Sequence, residues 1–193
     1  MKRILLLVAC AALFAACGST AVDGEAGDVG DRTTYPDDQP YGTKQGSIIA
    51  NLAFETADGE PISLHDIRTD ESVRVMLLSS MAGWCQPCII EQEHFKELQT
   101  RYGSRGFKVV SAMFEDTLGN VPTPGQVQEW KTQYKLNYLF LRDLNYVLRP
   151  YYSGDPPMNM VVDVDTMEIV YLGAGYDAVQ IENAIKSNLP AEE

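Results

Sequence analysis

The chain is poor in cysteine, histidine and positive charge. Among 193 residues there are four cysteines and two histidines, and 15 Lys and Arg stand against 27 Asp and Glu, a formal net charge of −12. The acid excess disfavours nucleic acid or an anionic lipid surface as a partner of the folded part, since both need a basic face. A structural zinc site takes four ligands, and two histidines beside so few cysteines leave little to build one from. There is no CxxCH haem-attachment sequence and no internal repeat. Nor is there an apolar run that comfortably spans a bilayer. ILLLVACAALFAA, residues 4–16, falls short of the roughly 20 residues a spanning helix needs.

What stands around that run is informative. Lys2 and Arg3 precede it and a polar, Gly-rich sequence follows, the layout of an export signal. The run ends LFAAC, which resembles a bacterial lipoprotein box, where small residues precede a cysteine that is cut and then acylated. Phe14 occupies the place where such boxes usually carry Leu. Cys10, in LVAC, matches the box pattern better, but only six apolar residues precede it. The expectation is therefore removal of residues 1–16 and lipidation of Cys17. The alternative is ordinary signal cleavage in the same Ala-rich stretch, releasing a soluble exported protein. Loss of Lys2 and Arg3 takes the formal charge from −12 to −14.

Export changes the cysteine count that matters. With Cys10 removed and Cys17 blocked, only Cys85 and Cys88 remain. Exported proteins that rely on structural disulfides usually carry several pairs joining distant segments. A bridge over so short a loop removes little chain entropy, so the pair is poorly placed as a staple.

Residues 18–46 are rich in Gly, Asp, Thr and Pro and poor in aliphatics. They read as an acidic, flexible tether with a root-mean-square reach of roughly 30 Å. Residues 47–193 are expected to form one domain. NLAFETADGEPISL reads as a hairpin around ADGEP, and VRVMLLSS as a buried strand. CIIEQEHFKELQTRYGSRG has helical spacing at Ile89, Phe95, Leu98 and Tyr102, closed by Gly103 and Gly106. FKVVSAMF is a second buried strand and QVQEWKTQYKL a second amphipathic helix. MNMVVDVD and EIVYLGAG pair across DVDTME, and DAVQIENAIKSNL is a last helix with Val179, Ile181, Ala184, Ile185 and Leu189 inward. The early β–α–β order predicts parallel strands and the late hairpin antiparallel ones. The fold class is thus α/β, a mixed sheet with helices on both faces.

The segment SSMAGWCQPCIIEQ, residues 79–92, then sits where a strand hands over to its helix, the carboxyl edge at which α/β folds bind ligands. Cys85 at a helix start meets unpaired N–H groups and the positive end of the dipole, which favour a thiolate. Cys88 lies one turn on, within disulfide range. Pro87 is tolerated in a first turn and stiffens it. Trp84 precedes the nucleophile and either covers the site or packs in the core. A metal reading fails for want of ligands: His94 falls on the solvent side of the helix and His65 belongs to another segment. Glu91, one turn after Cys88, is by spacing alone a surface glutamate.

These residues resemble the TlpA-like family, membrane-anchored extracytoplasmic thiol–disulfide oxidoreductases of the thioredoxin fold that include the reductants of cytochrome c maturation. WCQPC followed by Glu91 matches the family's W-C-x-P-C-x-x-E, and SGDPPMNMVVD matches its cis-proline segment G-x-P-T-T-F-L-I-D, with the likeness running over roughly residues 47–189. The resemblance implies a thioredoxin-like sheet with Pro157 in the cis position facing the cysteines. It implies Cys85 as nucleophile, Cys88 as resolving cysteine and Glu91 as proton acceptor. Trp84, Pro156, Pro157 and Met158 would meet the substrate, with Gln86 and Pro87 completing the motif. It further implies disulfide-containing exported partners such as apocytochrome c, a membrane thiol reductase as electron donor, a location on the periplasmic side of a bacterial membrane, and no cofactor.

The sequence departs from the pattern in four places. Ser79 stands where thioredoxin has a buried Asp, and Pro156 precedes Pro157. The aromatic usual in the preceding strand is missing, as is the proline that often follows the glutamate. Two other functions compete. A thiol peroxidase of the peroxiredoxin type would carry P-x-x-x-T-x-x-C, whereas this chain has MAGWC. A tethered, non-catalytic binding module would make the CxxC incidental.

Overall fold

The computed structural model describes residues 31–36 and 40–191. The expected signal, Cys10 and the lipidation site Cys17 lie outside them. Two short runs form a hairpin of β1 (Ala53–Thr56) and β2 (Pro61–Ser63), with Phe54 opposite Ile62. Ser63 caps a five-residue helix, α1 (Leu64–Arg68), in a capping box with Asp66. After β3 (Val75–Ala82) come α2 (Gln86–Tyr102), β4 (Phe107–Glu115) and α3 (Pro124–Gln133). The chain ends with β5 (Leu139–Arg142), β6 (Met158–Asp163), β7 (Glu168–Ala174) and α4 (Ala178–Asn188).

The seven strands make one sheet in the order β2-β1-β5-β4-β3-β6-β7. β3, β4 and β5 run parallel, and the other pairings are antiparallel. This is the expected mixed sheet, and β3, an interior strand between β4 and β6, is buried along all eight residues. Two crossovers in the same direction, β3–α2–β4 and β4–α3–β5, place α2 and α3 on one face if both are right-handed. Phe95, Leu98, Val127 and Trp130 do share one core there with Ile181 and Ile185 of α4. Leu64 and Ile67 of α1 pack into the second core, on the other face, beside Phe54 and Leu148.

Three expectations change. β5 and α1 were not announced by the sequence pattern. Val179 is 67 % exposed, whereas Ile181 and Ile185 are fully buried. Val179 sits two residues before Ile181, about 200° round the helix, so it faces solvent. The third concerns the segment read as tether, part of which packs on the domain. Arg32 is buried; it pairs with Asp165 and donates to the carbonyls of Arg68, Asp70 and Val73. Gly46 donates to the Ile169 carbonyl at 2.8 Å, and Tyr41 bridges to Ile48. A composition poor in aliphatics does not prevent docking when a guanidinium can satisfy several carbonyls at once. Among the described residues, no helix is long and apolar enough to cross a membrane.

Candidate active site

β3 ends at Ala82, and the chain turns through Gly83 and Trp84 into α2. Any Cβ at Gly83 would lie 2.8 Å from the backbone of Asp116 and Thr117, so only glycine lets the β4–α3 loop close on this turn. Cys85 is the N-cap of α2, with extended backbone, and its sulfur accepts the Cys88 N–H at 3.2 Å. Pro87 lies in the first turn, where a missing N–H costs nothing.

Cys85 and Cys88 form a disulfide, with Cα atoms 5.3 Å apart. Cys88 is fully buried and Cys85 retains 3 % of its surface, so what exposure the pair has belongs to Cys85. Opposite it, the Pro156–Pro157 peptide is cis, and the Pro156 carbonyl oxygen lies 3.5 Å from Cys85 Sγ. The Pro157 carbonyl is already taken by Gly175 N–H, at 2.9 Å. Two consecutive prolines leave this edge with an acceptor toward the sulfur and no N–H donor. Met158, expected beside a substrate, has its side chain fully buried in the core on the far face of the sheet. That placement corrects its expected role: no side-chain contact with a partner is open to it.

Beneath the disulfide, Glu91 is 1 % exposed. The amphipathic reading of α2 would leave it outside, but the sheet supplies partners. Ser79 of β3 donates to Oε1 at 3.3 Å and Asn159 of β6 donates to Oε2 at 2.9 Å. Ser79 and Asn159 are directly paired across the two strands. Asn159 also donates to the Gly175 carbonyl, tying the cis-proline strand to the loop before α4. Burial pushes the Glu91 carboxyl up to about 8, against the opposing pull of those two hydrogen bonds. At neutral pH it is therefore largely protonated and sets little negative charge against the cysteines. Asn159 was missed from sequence, although an amide inside the apolar run MNMVV is a visible signal that something polar waits opposite.

Trp84 is 43 % exposed, which rules out the core-packing alternative. Its indole N–H donates to Glu115 Oε2 at 2.6 Å, and the Tyr146 hydroxyl donates to the other oxygen of the same carboxylate. Bonding to Glu115 pushes the Tyr146 phenol up to about 12. Glu115 thus links two exposed aromatics at the mouth of the site. No local sequence signal joins positions 84, 115 and 146. Glu115→Ala should free the indole while costing no more than about 1.5 kcal/mol of stability. The check is the fluorescence anisotropy of Trp84 in a Trp130→Phe background, which should fall; an unchanged value would mean the carboxylate does not hold the ring.

The two histidines stay apart from this site. His94 is exposed and stacks on Tyr176 at 4.7 Å, and His65 contacts the Thr33 carbonyl.

Comparison with known proteins agrees with this geometry. Among solved structures, the chain is similar to a candidate thiol:disulfide interchange protein DsbE from Chlorobium tepidum, with 18 % identity and a TM-score of 0.62 over 76 % of this chain and 99 % of that one. It is similar to the thioredoxin domain of a thiol–disulfide oxidoreductase from Bacteroides vulgatus, at 16 % identity and TM-score 0.60, covering 76 % and 98 %. A thioredoxin-like protein from Aeropyrum pernix matches at 20 % identity and TM-score 0.58, covering 71 % and 89 %. These likenesses show a thioredoxin-like fold. Residues 46–162, more than half of the sequence, match the AhpC/TSA family model, and the chain belongs to the AhpC/TSA family.

Proposed function

We propose that the protein is a TlpA-like thiol–disulfide oxidoreductase that reduces disulfides of partner proteins outside the cytoplasm. The observation that carries this reading is the Cys85–Cys88 disulfide at the start of α2, with the Cys85 sulfur facing the Pro156–Pro157 segment.

In the reduced protein, the Cys88 N–H and the dipole of α2 stabilise a thiolate at Cys85. That thiolate attacks one sulfur of a partner disulfide, forming a mixed disulfide and expelling the other partner sulfur as a thiolate. Cys88 then attacks Cys85 Sγ, breaking the mixed bond and releasing the second partner thiolate. Two electrons pass to the partner, and Cys85–Cys88 is left oxidised. The ionised fraction of Glu91 takes the Cys88 proton as that sulfur attacks. A carboxyl near 8 is close to a free thiol near 8.5, so the transfer is nearly balanced in energy. The Pro156 carbonyl accepts an N–H from the partner's backbone, and Trp84 covers the exchanging sulfurs. A membrane thiol reductase returns the pair to the dithiol.

In this reading Cys17 carries the lipid and the domain works on the periplasmic side, on exported proteins such as apocytochromes. Titrating the Cys85–Cys88 pair between reduced and oxidised dithiothreitol tests it. A single two-electron transition toward the −270 mV end of the range for this fold fits a reductant, and one near −120 mV an oxidant. A pair that never changes state would end the proposal.

A further inference from the structure

A cleft of about 360 Å³ opens on the other side of Cys85 from the cis proline. Gly83 and Gln86, which flank the nucleophile, form one wall, and Asp116 of the β4–α3 loop with Glu129, Trp130 and Tyr134 of the α3 segment form the rest. Its chemistry is one-sided. It holds two carboxylates and two aromatic rings, and no lysine or arginine lines it.

Each part is fixed or open in a way that matters. Asp116 accepts the N–H groups of Leu118 and Asn120 and the Gln126 amide, bonds that hold its carboxyl below the usual range and keep it charged. The Glu129 side chain is exposed and, among the described residues, has no hydrogen-bond or ion-pair partner. Trp130 is anchored by its indole N–H to Gln92 Oε1 at 3.2 Å, and its ring lies 4.7 Å from that of Tyr134. Aromatic faces attract cations, and a cleft walled by protein strengthens the field of its carboxylates. The space suits a long cationic side chain, whose methylene stem lies along the rings while its head meets Glu129.

We propose that this cleft is a specificity subsite for a lysine or arginine of the partner polypeptide, close in sequence to the half-cystine that Cys85 attacks. The proposal rests on the oxidoreductase reading above and adds the charge of the preferred substrate.

The test uses the reduced protein and short cyclic disulfide peptides, identical except for Lys, Gln or Glu beside one half-cystine, with reduction followed by stopped flow at low ionic strength. The Lys peptide should be reduced about tenfold faster than the Glu peptide, with Gln between. Glu129→Gln should shrink that ratio several-fold, and Glu129→Lys should abolish or invert it. Glu71→Lys, an exposed site in the turn before β3 at the opposite end of the sheet, should leave it intact. Equal rates for the three peptides would overturn the subsite. So would a ratio that Glu71→Lys alters as much as Glu129→Lys, because overall charge would then account for it. Reduction of none of the peptides by the unsubstituted protein would instead overturn the oxidoreductase reading itself.

Discussion

Cys85→Ser should abolish reduction of insulin disulfides, whereas Cys88→Ser should still attack and then stall, accumulating mixed disulfides with its partner. The asymmetry follows from burial and position. Cys85 holds the only exposed surface of the pair and caps α2, while Cys88 lies fully inside, one turn deeper. An attack by Cys88 on an external disulfide would need the helix to open, but an attack on Cys85 Sγ needs only the proximity that the disulfide displays. Non-reducing electrophoresis of Cys88→Ser after mixing with an oxidised protein should show a dithiothreitol-sensitive adduct, absent from the double variant. Full activity in either single variant would mean that some other group does the chemistry.

The second large effect belongs to Glu91. Its folded-state pKa lies near 8, above the unfolded value of 4.5, so the unfolded chain releases this proton first as pH rises. The stability linked to it is therefore fully present below about 4.5 and is lost progressively up to about 8. At 1.36 kcal/mol per unit, the full loss is on the order of 5 kcal/mol. Glu91→Gln removes the ionisation, so urea unfolding of the oxidised variant should show a much flatter dependence between pH 5 and pH 8.

A merely structural residue would show no more than that. Under the proposed mechanism, in which Glu91 accepts the Cys88 proton, it would also govern resolution. The variant should form the mixed disulfide at an unchanged rate but resolve it about 100-fold more slowly, without the pH dependence of the unsubstituted protein. Matching pH–rate profiles for resolution would leave Glu91 a buried carboxyl with no part in the exchange.

How much of this was legible beforehand depended on distance along the chain. Cys85, Pro87 and Cys88 are neighbours in sequence, and the strand-to-helix handover that presents them can be read from periodicity alone. The hairpin of β6 and β7 was equally readable, since two mostly apolar runs flank a clear turn. Glu91 was ambiguous, because helical phase says where a side chain points but not what it meets. Its burial depends on Ser79 and Asn159 being in register across β3 and β6, which no local pattern encodes. Ser79, a departure from thioredoxin's aspartate, turns out to supply the hydroxyl that donates to the glutamate. The link of Trp84 and Tyr146 through Glu115 spans three segments and exists only once the sheet is assembled. β5 went unread because it is a four-residue strand whose partners are supplied by other segments.

Arg32 fastens the earliest described segment to the turn between β6 and β7 and to the approach to β3, whereas Cys85 lies past the other end of β3. Eight residues of strand put about 25 Å between the two ends. A hold on the segment around Arg32 would therefore grip the domain at the end of the sheet away from the reactive sulfurs.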